Sequence, residues 1–222
     1  MRIRRKPWAK PELERCNFFI KNPDDFLGIW SKQFSKGQPI HLELGCGKGV
    51  FISKLAPANP MINFLAIDIK DEVLVLAKRN IEKEFLRVGK DINNVLLMAY
   101  DINRISLILN EKDVVDRIYI NFCNPWPRRK HHKRRLTHPR QLSQYCRFLK
   151  PLGEIFFKTD DEELFSDSIK YFNENKFEII LKTKNLHELN YNFSENIQTE
   201  HEKMFIEQNV PIKFLIAKYK KF

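Results

Sequence analysis

Pro39-Ile40-His41-Leu42-Glu43-Leu44-Gly45-Cys46-Gly47-Lys48-Gly49-Val50-Phe51-Ile52 is the stretch whose reading decides the fold of this chain. Its first six residues form a short apolar strand candidate and its centre a glycine-rich turn. Phe51, Ile52 and Leu55 then start an apolar helical face that Pro57 closes. The chain has only 7 glycines, and Gly45, Gly47 and Gly49 crowd into this one turn. Glycine between a strand and a helix permits positive φ and lets a ligand press on bare backbone, the usual opening for a nucleotide-like cofactor. The alternative is a tight turn without ligand.

Working outward, the strand and helix pattern recurs. Strand candidates at 62–67, 95–100 and 116–122 alternate with a long helix over 71–88 that Gly89 ends. Beyond them come a helix around 141–148, a turn at Pro151-Leu152-Gly153, a strand at 154–158 and a helix over 161–173. Two more strands are expected near 177–182 and 212–219. Alternation of this kind predicts an open, mostly parallel α/β sheet wound on both faces.

The 222 residues suit one domain, 1–222, and no repeat, low-complexity tract or Gly/Ser linker marks a second boundary. With 43% hydrophobic and 12% aromatic residues, global disorder is excluded despite 30% charged content. No run approaches the ~20 apolar residues that cross a bilayer, so an integral membrane protein is not expected. The basic start, with Arg2, Arg4, Arg5 and Lys6, leads into Pro11, Glu12 and Glu14 instead of an apolar stretch, which argues against export. Residues 1–16 read as a basic amino-terminal arm, either mobile and ordered by RNA or an idle tail. Cys16, Cys46, Cys123 and Cys146 are far apart with no C-x-x-C pair, favouring a reducing cytoplasm over a zinc site or disulfide scaffold.

The turn spells G-x-G-x-G. The third glycine of a dinucleotide fingerprint would fall on Val50, and no Gly-Lys-Ser/Thr follows, so nicotinamide cofactors and nucleoside triphosphates are disfavoured. S-adenosylmethionine fits better, because it has no phosphates and carries a sulfonium and an ammonium group that suit carboxylates. Glu43 ends the first strand near the place of a cationic methionine moiety. Asp68 ends the second, where a carboxylate can accept both ribose hydroxyls, and Asp101 follows the third, placed to meet the adenine amino group. Taken alone, Asp101 reads as a helix N-cap or a solvated loop residue; three acids at successive strand ends change that reading.

The fourth strand ends in Asn121-Phe122-Cys123-Asn124-Pro125-Trp126-Pro127 and runs into Arg128-Arg129-Lys130-His131-His132-Lys133-Arg134-Arg135. Asn124 is read as lining the reaction centre, with Trp126 near a base or holding the loop; the alternative is a structural corner. Such a run is usually a solvated loop. Directly after a candidate active-site loop, and in a chain of net charge +11, it offers RNA phosphate contacts instead, Lys133, Arg134 and Arg135 among them. His131 and His132 have no partner at a metal spacing and are read as part of this face.

On these residues the sequence resembles the bacterial tRNA (guanine-N7-)-methyltransferases, from Gln38 to Tyr219. The specific part is Asn124-Pro125-Trp126-Pro127 through His132-Lys133-Arg134-Arg135-Leu136-Thr137, with Thr159-Asp160 and Thr199-Glu200-His201-Glu202 resembling two further segments that hold the substrate guanosine. The resemblance implies a Rossmann-like class I methyltransferase fold of about seven strands and transfer of a methyl group from S-adenosylmethionine to N7 of a guanosine in the tRNA variable loop. It implies cofactor contacts at Glu43, Asp68, Asp101 and Asn124 and substrate contacts at Arg128, Asp160, Thr199 and Glu202, with Asn124 and Asp160 as catalytic candidates. No metal is implied. The chain departs from the family in three places: Asn124 stands where Asp is usual, Arg128 where Lys is usual and His201 where Tyr is usual. Two other functions stay open at this point, methylation of an exocyclic amine and non-catalytic RNA binding on the same fold. Oligomeric state is open between monomer and homodimer.

Overall fold

Apolar residues cover both faces of the central strands, which requires layers on either side of the sheet. The computed structural model describes residues 6–189 and 197–220. In chain order its elements are α1 (Ala9–Glu14), β1 (Phe19–Ile20), β2 (Ile40–Leu44), α2 (Val50–Ala58), β3 (Asn63–Asp68), α3 (Asp71–Arg87), β4 (Val95–Ala99), β5 (Val115–Asn121), α4 (Pro139–Tyr145), β6 (Leu149–Thr159), α5 (Glu162–Asn173), β7 (Phe177–Thr183), α6 (Glu200–Glu207) and β8 (Lys213–Tyr219). All eight strands form one sheet in the order β1-β4-β3-β2-β5-β6-β8-β7. Only β8 runs antiparallel to its neighbours, β6 and β7.

Every residue of β2 is buried, His41 and Glu43 included. This strand pairs with β3 on one side and β5 on the other, so the order of winding reverses between β2 and β5. A crevice opens at such a switch point, outside the carboxyl ends of the strands. The helix α3 buries Val73, Leu74, Ala77, Ile81 and Phe85, spaced for one face, and closes at Gly89, whose φ of +64° lets the Lys90 N–H reach Phe85 O at 3.0 Å. At Gly49, φ is +68° and an added Cβ would lie 2.7 Å from Ala77 Cβ. The start of α2 therefore rests directly on α3, and only glycine allows it.

Several boundaries differ from expectation. The helix α2 runs through Pro57 to Ala58; Pro57 forgoes the bond its nitrogen would make to Ser53 O, and the helix ends one residue later. The turn expected at 151–153 is a kink inside β6, with Leu152 at φ +65° and the register against β5 shifting between Val115 and Arg117. An eighth strand, the two-residue β1, lies parallel to β4 at the sheet edge, too short for periodicity to reveal. Residues 9–16 do not form part of an arm: Ala9, Leu13 and Cys16 are buried, and Arg79 of α3 holds Glu12 with a 2.7 Å bond. The cations Arg2, Arg4 and Arg5 lie outside the described residues.

Candidate active site

The glycine turn is stitched to the end of β3 by its own backbone. Gly45 and Cys46 N–H both donate to Ile67 O at 2.9 Å, and Gly47 N–H donates to Asp68 Oδ2 at 3.0 Å. Gly45 and Gly47 have φ of +79° and +54°; a Cβ on Gly47 would meet nothing within 4 Å, and one on Gly45 only the tip of Leu136 at 4.0 Å. Their absent side chains leave open space, whereas that of Gly49 leaves room for a helix.

Glu43 stands beside this space at the switch point. Its Oε1 accepts from Asn121 Nδ2, on β5, at 3.3 Å, and its Oε2 is buried with no hydrogen-bond partner among the described residues. Burial pushes the Glu43 carboxyl up to about 8, with the Asn121 bond acting the other way. Asn121 was missed by sequence reasoning; its only signal is its place at the end of the fourth long strand. Asp68 has its carboxylate oriented by Gly47 N–H and by Lys70 N–H at 3.2 Å. Asp101 Oδ1 caps the following 3-10 turn, accepting from Asn103 N and Nδ2 at 2.9 and 2.8 Å.

An orphaned, fully buried carboxylate oxygen beside an open glycine cradle fits a cationic ligand with bulk. A sulfonium compound carrying an ammonium group meets both demands, and the acids at the ends of β2, β3 and β4 could offer acceptors to the rest of it.

The loop after β5 is backbone-strained. Phe122 and Trp126 have φ of +50° and +47°, unusual for aromatic residues. Asn124 is exposed, and its Oδ1 accepts from Trp126 N–H at 3.0 Å, so the side chain braces the turn. The guanidinium of Arg134 sits 5.1 Å from the Trp126 ring centroid, and Arg128 and Lys133 are exposed beside it. Arg135 departs from its expected role as a phosphate contact. Its side chain is 0% exposed and bound to Asp167 and Glu163, so it cannot meet a solvent-side phosphate.

The carboxyl-terminal segment completes the crevice. Thr199 and Glu202 form a capping box at the start of α6: Thr199 Oγ1 accepts from Glu202 N–H at 3.0 Å, and Glu202 Oε2 from Thr199 N–H at 3.4 Å. Glu202 Oε2 also takes Lys158 Nζ at 3.0 Å in a buried pair, while Oε1 is buried without a hydrogen bond among the described residues, with His187 Nε2 3.8 Å away. Burial holds the Lys158 ammonium below its ordinary pKa, against the pull of Glu202. Thr199 and Glu200 line the same small cleft as Glu43, Gly45 and Asn121, and Lys48 of the glycine turn reaches Glu200 at 2.8 Å. Asp160 follows β6, with its carbonyl accepting from Lys213 Nζ at 2.8 Å. His201 and Phe205 both stack on Phe122, at 5.9 and 5.7 Å. The structure thus brings Glu43, Gly45 and Thr199 together in one cleft, with Gly47 and Asp68 joined to each other beside it, while Gly49 packs on α3 and Arg135 turns towards α5.

This sheet order, with a glycine turn after a central strand, is that of the class I methyltransferase fold. Solved structures with the same fold include a 16S rRNA methyltransferase, KamB, at TM-score 0.59 and 12% identity over 83% of this chain and 89% of that one. An antibiotic-related methyltransferase aligns at TM-score 0.55 and 19% identity over 83% and 88%. The sequence profile of the family described as "Putative methyltransferase" matches residues 37–215. The tRNA (guanine-N(7)-)-methyltransferase of Clostridium beijerinckii is 61% identical over 98% of both chains, and that of Acetivibrio thermocellus 56% identical over 99% of this chain and all of its own. The chain belongs to the tRNA (guanine-N(7)-)-methyltransferase family and is an enzyme of the methyltransferase class.

Proposed function

We infer that this chain transfers a methyl group from S-adenosylmethionine to N7 of a guanosine in tRNA, in the cytoplasm where tRNA resides. The observation that carries the reading is the pairing of Glu43 Oε2, buried without a hydrogen-bond partner among the described residues, with the open cradle at Gly45 and Gly47. When bound, the methyl donor supplies an electrophilic carbon on a sulfonium centre. Glu43 would hold its ammonium group, Asp68 its ribose hydroxyls and Asp101, through the oxygen that does not cap the turn, its adenine edge.

Guanine N7 already carries an in-plane lone pair and loses no proton on methylation, so no general base is required. The protein's task is to hold the base in line and to balance the positive charge that develops on the ring. Asp160 and Glu202 Oε1 are the acceptors for that charge and for the ring's N–H groups. Asn124 fixes the turn over which the base enters, a role its amide performs as well as a carboxylate would, since the brace needs only an acceptor oxygen. Thr199 sets the position of Glu202 through the capping box. Arg128, Lys133 and Arg134 meet phosphates, and the Trp126 and Arg134 stack gives the approaching RNA a flat edge.

Transfer of labelled methyl to unmodified tRNA, followed by borohydride and aniline cleavage at 7-methylguanosine, tests this. A single cut in the variable loop is expected. Incorporation without a cut would mean methylation of an exocyclic amine, and tRNA binding without incorporation would mean a binder only.

A further inference from the structure

We propose that Arg135 is a positioning residue, one that locks the loop bearing Asn124 and the RNA-facing cations onto helix α5. The proposal rests on the tRNA methyl-transfer reading and deepens it. Arg134 and Arg135 are neighbours in one basic run but have opposite fates: Arg134 is exposed against Trp126, and Arg135 is among the largest fully buried side chains. Its donors reach three segments. Nε donates to Pro125 O at 2.7 Å, one terminal nitrogen to Asp167 Oδ2 at 2.7 Å, and the other to Glu163 Oε1 at 3.0 Å with His132 Nε2 also at 3.0 Å. A guanidinium has no acceptor, so the His132 nitrogen accepts.

A buried charge this well matched is there for geometry. Two carboxylates a helical turn apart on α5 oppose one planar fork, an arrangement lysine's single ammonium cannot reproduce. The ligand atoms of His132, Glu163 and Asp167 lie within 4.8 Å of one another, and the guanidinium is the cation they gather around. The loop needs such a clamp. Phe122 and Trp126 hold positive φ, the segment 128–134 contains no acid, and five permanent cations repel one another along it. Pro125 O, the atom that Arg135 grips, lies between Asn124, which braces the turn, and Trp126, on which Arg134 stacks.

Asp167→Asn is the deciding variant. If Arg135 touched RNA, removing a nearby negative charge would leave tRNA binding unchanged or tighten it; if Arg135 is a clamp, the loop loosens. We expect kcat/KM for tRNA to fall about tenfold or more, through both kcat and KM, with the Kd for S-adenosylmethionine within about twofold of wild type. Arg135→Lys, which keeps the charge but loses the fork, should fall at least as far. Tryptic cleavage within 128–134, measured without RNA or cofactor, should speed up by a similar factor in Asp167→Asn, and this readout holds whatever the wild-type enzyme methylates. Asp167→Asn with tryptic rate and kcat/KM both within twofold of wild type, or with tighter tRNA binding at unchanged kcat, overturns the proposal. Should Arg135→Lys fail to fold, Asp167→Asn still decides.

Discussion

The glycine turn at 45–49 and the loop at 124–135 both follow the carboxyl ends of neighbouring central strands, β2 and β5, yet they are held in different ways. The turn is tied by main-chain bonds from Gly45, Cys46 and Gly47 to the end of β3, and its conformation is one that glycine adopts without penalty. The loop carries positive φ on aromatic residues and is tied by one buried guanidinium to a helix 28 or more residues further on. Local chemistry specifies the first, and tertiary chemistry specifies the second. On the proposed reading, a cofactor that is the same in every turnover would be met by a site rigid from its own backbone. On the same reading, a large RNA would be met by a loop whose placement depends on side chains.

The contrast can be broken most forcefully at Glu43. Glu43→Gln removes the buried carboxyl proposed to ionise against the cationic cofactor, and affinity for S-adenosylmethionine should drop about 100-fold, within the roughly 2–5 kcal/mol attached to such partners. Calorimetric titration checks it, and tRNA affinity should be unchanged. Next come two glycines with different duties. Gly49→Ala must press into Ala77 and should destabilise the fold by roughly 2–4 kcal/mol. Gly47→Ala meets no neighbour, so thermal unfolding should register only the strain of its φ, about 1 kcal/mol, while cofactor binding suffers more. The smallest effect is at the exposed side of the loop. Arg134→Gln should weaken tRNA binding several-fold and lower the slope of log affinity against log salt by about one, with cofactor affinity unchanged.

Legibility in the sequence follows the same division. The strands β2 to β5 and the helix α3 announce themselves by apolar runs and by Gly89, and Glu43, Asp68 and Asp101 by falling at strand ends. Asn121, the partner of Glu43, was not legible, because the pairing depends on β2 and β5 being neighbours across the switch point. Nor was the buried Lys158 and Glu202 pair, which joins β6 to α6 over 44 residues. Arg135 misled for a related reason. Composition makes a run of cations look uniform, and only the acids of α5, at 163 and 167, distinguish the one that turns inward. Asp101 does cap a helical turn, as it reads when taken alone.

Isothermal titration of S-adenosylmethionine at pH 6.5, in buffers of different ionisation enthalpy, tests the central role of Glu43 most directly. The free carboxyl, raised to about 8 by burial, is mostly protonated at that pH, and a cationic ligand favours its ionised form. Binding should therefore release close to one proton. Below pH 8 the affinity should climb as pH rises, by up to about tenfold per unit, and Glu43→Gln should abolish both the proton release and the climb. Binding with no proton release, or a Glu43→Gln protein that binds like the wild type, would contradict the account.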